Sequence, residues 1–95
     1  MIRIVAHFHL KENKAGDAIK LAQELIDETR KEAGCVQYDL AQSFENPDQL
    51  VILEAWETKE ALDAHSASEH FARIVPAIAQ LCEEPPAIHS YLQII

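Results

Sequence analysis

Residues 53–71 read LEAWETKEALDAHSASEHF, a stretch that joins the end of an apolar strand to the start of a helix. The strand ends at Trp56. Thr58 follows at a position typical of a helix N-cap, because its hydroxyl oxygen can accept a bond from a free backbone N–H. His65 lies one or two turns into the predicted helix. The stretch therefore predicts that Glu54, Trp56 and His65 lie around one cavity.

A second helix start is predicted inside the same stretch. Residues 66–69 read SASE, which matches the S-x-x-E capping box. The helical segment is therefore expected to restart there and to be stepped rather than straight. It continues towards residue 81, with a further irregularity expected at Pro76, which lacks a backbone donor. The EEPP run at 83–86 ends it.

Four segments of the chain are typical of strands, including the one that ends at Trp56. Residues 2–10 alternate between apolar and polar side chains, which is the period-two pattern of a strand with one buried face. Residues 35–43 and 49–57 flank an Asn-Pro-Asp turn signal at 46–48, so they predict an antiparallel hairpin. Residues 88–94 complete the set as a last strand.

One more helix is predicted between Asn13 and Gly34, where apolar residues recur every three or four positions. Gly34 fits the position just past the helix end, where a positive φ is favoured. The element order is then βαββαβ, which predicts a ferredoxin-like α+β fold: a four-stranded antiparallel sheet with its helices on one face. Residues 1–95 are expected to form a single domain.

The third strand is apolar on both faces, with Leu50, Ile52 and Trp56 on one side and Val51, Leu53 and Ala55 on the other. Helices on one face of the sheet leave the second apolar face without cover. Monomers rarely expose apolar patches beyond a few hundred Å². We therefore expect the far face to pack against a second copy of the chain in a homodimer.

Composition excludes several classes of partner. Sixteen acidic and eight basic residues give a net charge of −8, which disfavours nucleic acid and anionic membrane surfaces by Coulomb repulsion. No apolar run approaches the roughly 20 residues of a membrane helix, and no signal peptide is apparent. We expect a cytoplasmic protein in which Cys35 and Cys82 stay reduced.

In its motifs the chain resembles the antibiotic biosynthesis monooxygenase family, small dimeric α+β barrel proteins that include quinol monooxygenase-like enzymes. The resemblance rests on GCVQYD at 34–39, on EAW at 54–56, and on Ala61 and Leu62 followed by His65, Ser68, His70 and Phe71. It implies a cofactor-independent monooxygenase, an oxidoreductase that uses no flavin, metal or haem. The substrate would be a small electron-rich aromatic or quinol, which supplies the electrons to dioxygen itself.

The resemblance also implies roles for individual residues. His65 and Glu54 are the expected catalytic groups, since an imidazole that titrates near neutral pH suits removal of a phenolic proton. The expected substrate contacts are Trp56, Tyr38, Phe8, Ile52, His70 and Phe71. Each of three residues also has a purely structural interpretation. His65 could be a half-exposed helix residue, Trp56 could be ordinary core packing, and Glu54 could be a carboxylate that leaves the core for solvent.

Other functions are open on the same fold. Some relatives isomerise a phosphorylated quorum-signal breakdown product; that ligand needs cations, for which Lys59 and Arg73 are the candidates. A non-enzymatic binding or stress-response module is a third possibility. Haem-degrading relatives carry an asparagine, a tryptophan and a histidine where this chain has Phe8, His65 and Val75, which disfavours haem. Metal binding is disfavoured because His65 and His70 are five residues apart, not the three or four that align ligands on one helix.

Overall fold

Seven secondary-structure elements make up the computed structural model, which describes residues 1–95. In chain order they are β1 (Ile2–His9), α1 (Ala15–Thr29), β2 (Cys35–Gln42), β3 (Gln49–Trp56), α2 (Lys59–Ser66), α3 (Glu69–Ala79) and β4 (Ala87–Leu92). The strands form one antiparallel sheet in the order β2-β3-β1-β4. The predicted ferredoxin-like α+β fold is confirmed, with the second helix divided into α2 and α3. None of the helices combines the length and the apolar composition needed to cross a membrane.

Strand pairing sets which side chains share a face. In the β1–β3 pair, Ile4 lies opposite Glu54 and Ala6 opposite Ile52. Because side chains alternate along a strand, the even-numbered residues of both strands point the same way. The predicted alternation is confirmed, since the even positions are buried against the helices: Ile4, Ala6, Phe8, Leu50, Ile52, Glu54 and Trp56.

The core lies between this sheet face and the helices. α1 contributes Ala18, Ala22, Leu25 and Ile26, and α3 contributes Ile74 and Ile78. The two helices are also joined across their outer surface by Arg73, which pairs with Glu24 on α1 and Glu69 on α3. Burying a large aliphatic side chain is worth about 1.5–3 kcal/mol. Packing of the core therefore holds α1 and α3 in place, and the exposed ion pairs add little.

The sequence position of Gly34 predicted that it directly follows the first helix, and this prediction was wrong. α1 ends at Thr29, and a turn separates it from Gly34, whose φ is 83°. A Cβ on Gly34 would lie 2.5 Å from the Cβ of Ala61 on α2. Glycine is required here both by the left-handed backbone and by the close approach of α2 to the start of β2.

Helix caps explain the position of α2. Thr58 is the N-cap, as predicted, and its Oγ1 accepts a bond from Ala61 N at 3.1 Å. The helix then runs only as far as Ser66. An α2 of eight residues brings His65 to its last turn, beside the end of β3.

The restart of the helix is confirmed, but the predicted cap was wrong by two residues. Ser68, not Ser66, is the N-cap of α3: its Oγ accepts from Phe71 N at 3.3 Å and donates to His65 O at 2.7 Å. Its extended backbone, with ψ at 156°, produces the step between α2 and α3. Pro76 does not interrupt α3, which continues to Ala79.

The far face of the sheet is open in the single chain. Val5, Val51 and Leu53 are only half-buried there, and with His7 they line a groove of about 370 Å³. Every residue of β4 is exposed. Cover from a second copy stays a prediction.

Candidate active site

A cavity of about 170 Å³ lies on the helix side of the sheet, where α2, α3 and β4 approach β1 and β3. It is lined by Ile4 and Glu54 from the sheet, Leu62, Asp63, His65 and Ser66 from α2, Phe71 from α3, and Ile88 and Ser90 from β4. The larger groove on the far face has a single titratable side chain, that of His7. The smaller cavity is the candidate active site because it alone brings a carboxylate and an imidazole together.

An aromatic cluster surrounds the imidazole of His65. Its ring centroid is 4.7 Å from that of Trp56, 5.2 Å from that of Tyr38 and 5.2 Å from that of Phe71. His65 is only 1% exposed, so it is not the half-exposed helix residue of the structural explanation. Four of the candidate residues, Tyr38, Trp56, His65 and Phe71, therefore form one packed group.

Glu54 joins this group through Trp56, whose Nε1 donates to Glu54 Oε1 at 2.9 Å. The carboxyl group stays within the core rather than turning out to solvent, and its residue is 6% exposed. Burial raises the pKa of Glu54 to about 7; the bond from Trp56 opposes that shift, and the charge of Glu32 adds to it. At neutral pH Glu54 is therefore divided between its acid and its carboxylate forms.

His65 is held in its neutral form. Burial lowers the pKa of its imidazole, while a hydrogen bond to Glu32 opposes the shift. Its Nε2 is buried and has no hydrogen-bond partner. Burial also raises the pKa of Tyr38, so that its phenol stays protonated. Near pH 7 the cavity lining therefore includes a neutral imidazole, that of His65, and the carboxyl group of Glu54, which readily gains or loses a proton.

Glu32 is a residue that the sequence did not point to. It lies in the turn between α1 and β2, and its Oε2 is 2.8 Å from His65 Nδ1 and 2.7 Å from His70 Nε2. The five-residue spacing had disfavoured the two histidines as metal ligands, on the reasoning that they do not share one helical face. The step at Ser68 puts them on separate helices, and both helices approach Glu32.

Not every expected contact residue borders the cavity. Phe8, Ile52, Tyr38 and Trp56 lie in the hydrophobic core and not in the cavity lining, and His70 is directed to Glu32. Phe71 is the predicted substrate contact that does line the cavity. Ile4, Leu62, Ile88 and Ser90 line the cavity although the sequence did not indicate them. Ile4 could have been predicted from the pairing of β1 with β3, which places it opposite Glu54.

The two candidate cations are both paired with carboxylates. Lys59 pairs with Asp63 at 2.9 Å, and Arg73 pairs with Glu24 and Glu69. Neither is among the residues that line the cavity. The lining therefore includes the acidic residues Glu54 and Asp63 but neither of these cations.

Comparison with known proteins gives the family. The model of the antibiotic biosynthesis monooxygenase family matches residues 1–77. The chain belongs to this family. A solved structure described as an antibiotic biosynthesis monooxygenase is 30% identical to it, with a TM-score of 0.93 over 100% of both chains.

Two further similar proteins extend the comparison. A conserved protein from Methanosarcina mazei Go1 is 38% identical, with a TM-score of 0.92 over 95% of this chain and 89% of that chain. YcnE of Bacillus subtilis strain 168, which is named provisionally as a monooxygenase, is 31% identical over 85 residues, 90% of each chain. The chain thus shares the family and its fold, and the names of its relatives support a monooxygenase-like function.

Proposed function

We propose that the protein is a cofactor-independent monooxygenase that acts on a small electron-rich aromatic or quinol. The observation that carries the proposal is the buried, unpartnered Nε2 of His65 beside a cavity that also contains Glu54. A buried polar atom normally has a hydrogen-bond partner. A substrate hydroxyl would supply one, and family membership is consistent with that substrate.

The size of the cavity supports a substrate of one ring. An apolar cavity of about 150 Å³ holds benzene, and the cavity here has a volume of about 170 Å³. Ile4, Leu62, Phe71 and Ile88 supply apolar surface for a ring, while Glu54 and His65 supply polar groups for its oxygens.

In the proposed mechanism, His65 Nε2 accepts the proton of a phenolic hydroxyl. The resulting phenolate transfers an electron to dioxygen more readily than the neutral phenol does, so the substrate needs no separate reductant. For a hydroquinone, combination with O₂ gives a hydroxyquinone and one water, and the ring supplies the four electrons. Glu54, divided between its two forms at neutral pH, returns the proton needed for water to leave.

The phosphorylated substrate of the isomerase alternative is less well supported. A phosphate group needs cationic or N–H donors. Lys59 is neutralised by its ion pair with Asp63, and Arg73 is paired with two carboxylates outside the cavity lining. The Glu54 carboxyl group in the lining would repel a phosphate. A neutral phenol or quinol meets no such repulsion.

Replacing His65 by Asn tests the proton step. The Asn amide retains a donor for Glu32 and removes Nε2, and it leaves a smaller void than Ala would at this buried position. We expect oxygen consumption with a panel of one-ring quinols to fall by about 10²- to 10⁴-fold, the usual contribution of a general base. His9→Asn, which changes a half-buried histidine away from the cavity, serves as the control. Equal turnover by the two variants would remove His65 from the mechanism.

We also propose that two copies pack through the far face of the sheet, where Val5, Val51 and Leu53 lie. Leu53→Asp would bury an unpaired carboxylate in such an interface at a cost of several kcal/mol. Sedimentation at micromolar concentration should report a dimer for the wild type and a monomer or unfolded chain for the variant. Ile19→Asp, on an exposed part of α1, should remain a dimer. A wild type that sediments as a monomer would contradict the proposal.

A further inference from the structure

One carboxylate oxygen of Glu32 connects three parts of the fold. Glu32 lies in the turn before β2, and its Oε2 contacts Nδ1 of His65 on α2 at 2.8 Å and Nε2 of His70 on α3 at 2.7 Å. The Glu32 side chain is 17% exposed and that of His70 is 15% exposed. The contacts are therefore made largely out of water, where hydrogen bonds of an ionised acceptor are strong.

The chemistry of a carboxylate decides where the proton of His65 lies. A carboxylate oxygen only accepts hydrogen bonds, so a neutral imidazole that faces it through Nδ1 carries its proton there and leaves a lone pair on Nε2. That nitrogen is buried and unpartnered in a residue that borders the cavity. We propose that Glu32 is a positioning residue that holds His65 in the Nδ1–H tautomer, so that Nε2 is free to accept a substrate proton. The inference rests on the proposed role of His65 as the base.

His70 acts through Glu32 in this arrangement. Its Nε2–H donates to the same oxygen from the opposite helix, which restricts rotation of the carboxylate. When His65 gains a proton, Glu32 faces the new positive charge at hydrogen-bond distance. The other titratable groups near His65 are Glu54 on β3, Tyr38 on β2 and Asp63 on α2. Glu32 is the one that contacts the ring nitrogen directly.

The distances favour a hydrogen-bonded cluster over a metal centre. The three ligand atoms lie within 4.8 Å of one another, close enough to be considered as metal ligands. Around a tetrahedral ion with bonds of 2.0–2.1 Å, however, ligand atoms are separated by about 3.3 Å. The two oxygen-to-nitrogen separations are 2.8 and 2.7 Å, the lengths of charge-assisted hydrogen bonds.

Nitrogen NMR of the histidine rings tests the proposal without any substrate. In the ¹⁵N-labelled wild type at neutral pH, we expect His65 to show a protonated Nδ1 and an unprotonated Nε2. Glu32→Met, which matches the length of the side chain but removes both oxygens, should convert this ring to a mixture of tautomers. Glu28→Met, which changes a carboxylate in α1 near its end, should leave it unchanged. A wild-type His65 with its proton on Nε2 would overturn the proposal, even if the Glu32 variant failed to fold.

Kinetics separate this inference from the proposed function. With an active quinol, Glu32→Met should lower kcat by about 10- to 100-fold and leave KM within about twofold, because it disturbs proton transfer rather than binding. Unchanged kcat and tautomer would refute the role of Glu32 and leave the oxygenase intact. If no quinol is oxidised but the tautomer still depends on Glu32, the function fails and the positioning role stands. Stoichiometric binding of Zn²⁺ by the wild type, lost in Glu32→Met, would replace the proposal with a metal site.

Discussion

Glu54→Gln tests the electrostatics of the site through protein stability. Glutamine has nearly the shape of a glutamic acid, and its amide oxygen can accept the bond from Trp56 Nε1, so the substitution removes the titration and little else. The pKa of Glu54 is about 7 in the folded protein, against an ordinary value of 4.5. Between these pH values the folded protein retains a proton that the unfolded chain releases. The stability that this proton confers is therefore present at low pH and is lost as the pH rises towards 7.

The size of the effect follows from proton linkage. A difference of one bound proton changes the free energy of unfolding by about 1.4 kcal/mol per pH unit. The wild type therefore loses about 3 kcal/mol of stability as the pH rises from the ordinary pKa of Glu54, 4.5, to its pKa in the folded protein, about 7. Relative to Glu54→Gln, we expect the loss from about pH 5 to about pH 8 to be about 2.5 kcal/mol. The variant should thus gain stability over the wild type as the pH is raised.

Urea unfolding at a fixed protein concentration measures the difference. The fluorescence of Trp56, the single tryptophan, and far-UV circular dichroism should report the same transition. Glu57→Gln changes an exposed carboxylate just beyond β3, and its stability should parallel that of the wild type across the pH range. If the Glu54→Gln difference also stays constant within about 0.5 kcal/mol, Glu54 is ionised and solvated, and the reasoning is wrong.

Two further predictions concern the backbone that positions the site. Gly34→Ala should destabilise the protein by about 1–3 kcal/mol, since it strains a positive φ and brings a Cβ against Ala61. In urea unfolding, part of this loss of stability should disappear when Ala61 is also replaced by Gly. Fully additive losses from the two substitutions would argue against the close approach. Ser68→Ala should cost about 1 kcal/mol through loss of the α3 cap, whereas Ser66→Ala, measured in parallel, should be nearly neutral. A larger loss of stability for Ser66→Ala than for Ser68→Ala would instead support the cap that the sequence predicted at Ser66.

Local patterns were sufficient for the fold. The alternation of β1, the turn at 46–48 and the cap at Thr58 each depend on neighbouring residues, and each appears in the structure where it was expected. The same local reasoning misplaced the α3 cap, because two serines two residues apart offer competing signals. It also placed Gly34 directly after a helix, since a positive φ can serve a turn or a close approach equally well.

The sequence by itself determined the element order, the buried face of each strand, and the proximity of Glu54 and Trp56, which are neighbours on one strand face. Tertiary structure alone decided that Glu32 lies between His65 and His70, and that Phe8 and Ile52 belong to the core rather than the cavity. The physical reason is the separation along the chain of the residues that interact. Periodicity and capping are set by residues within a few positions, whereas the Glu32–His65 contact joins residues 33 positions apart. Such a contact exists only after the sheet has brought the α1–β2 turn against α2.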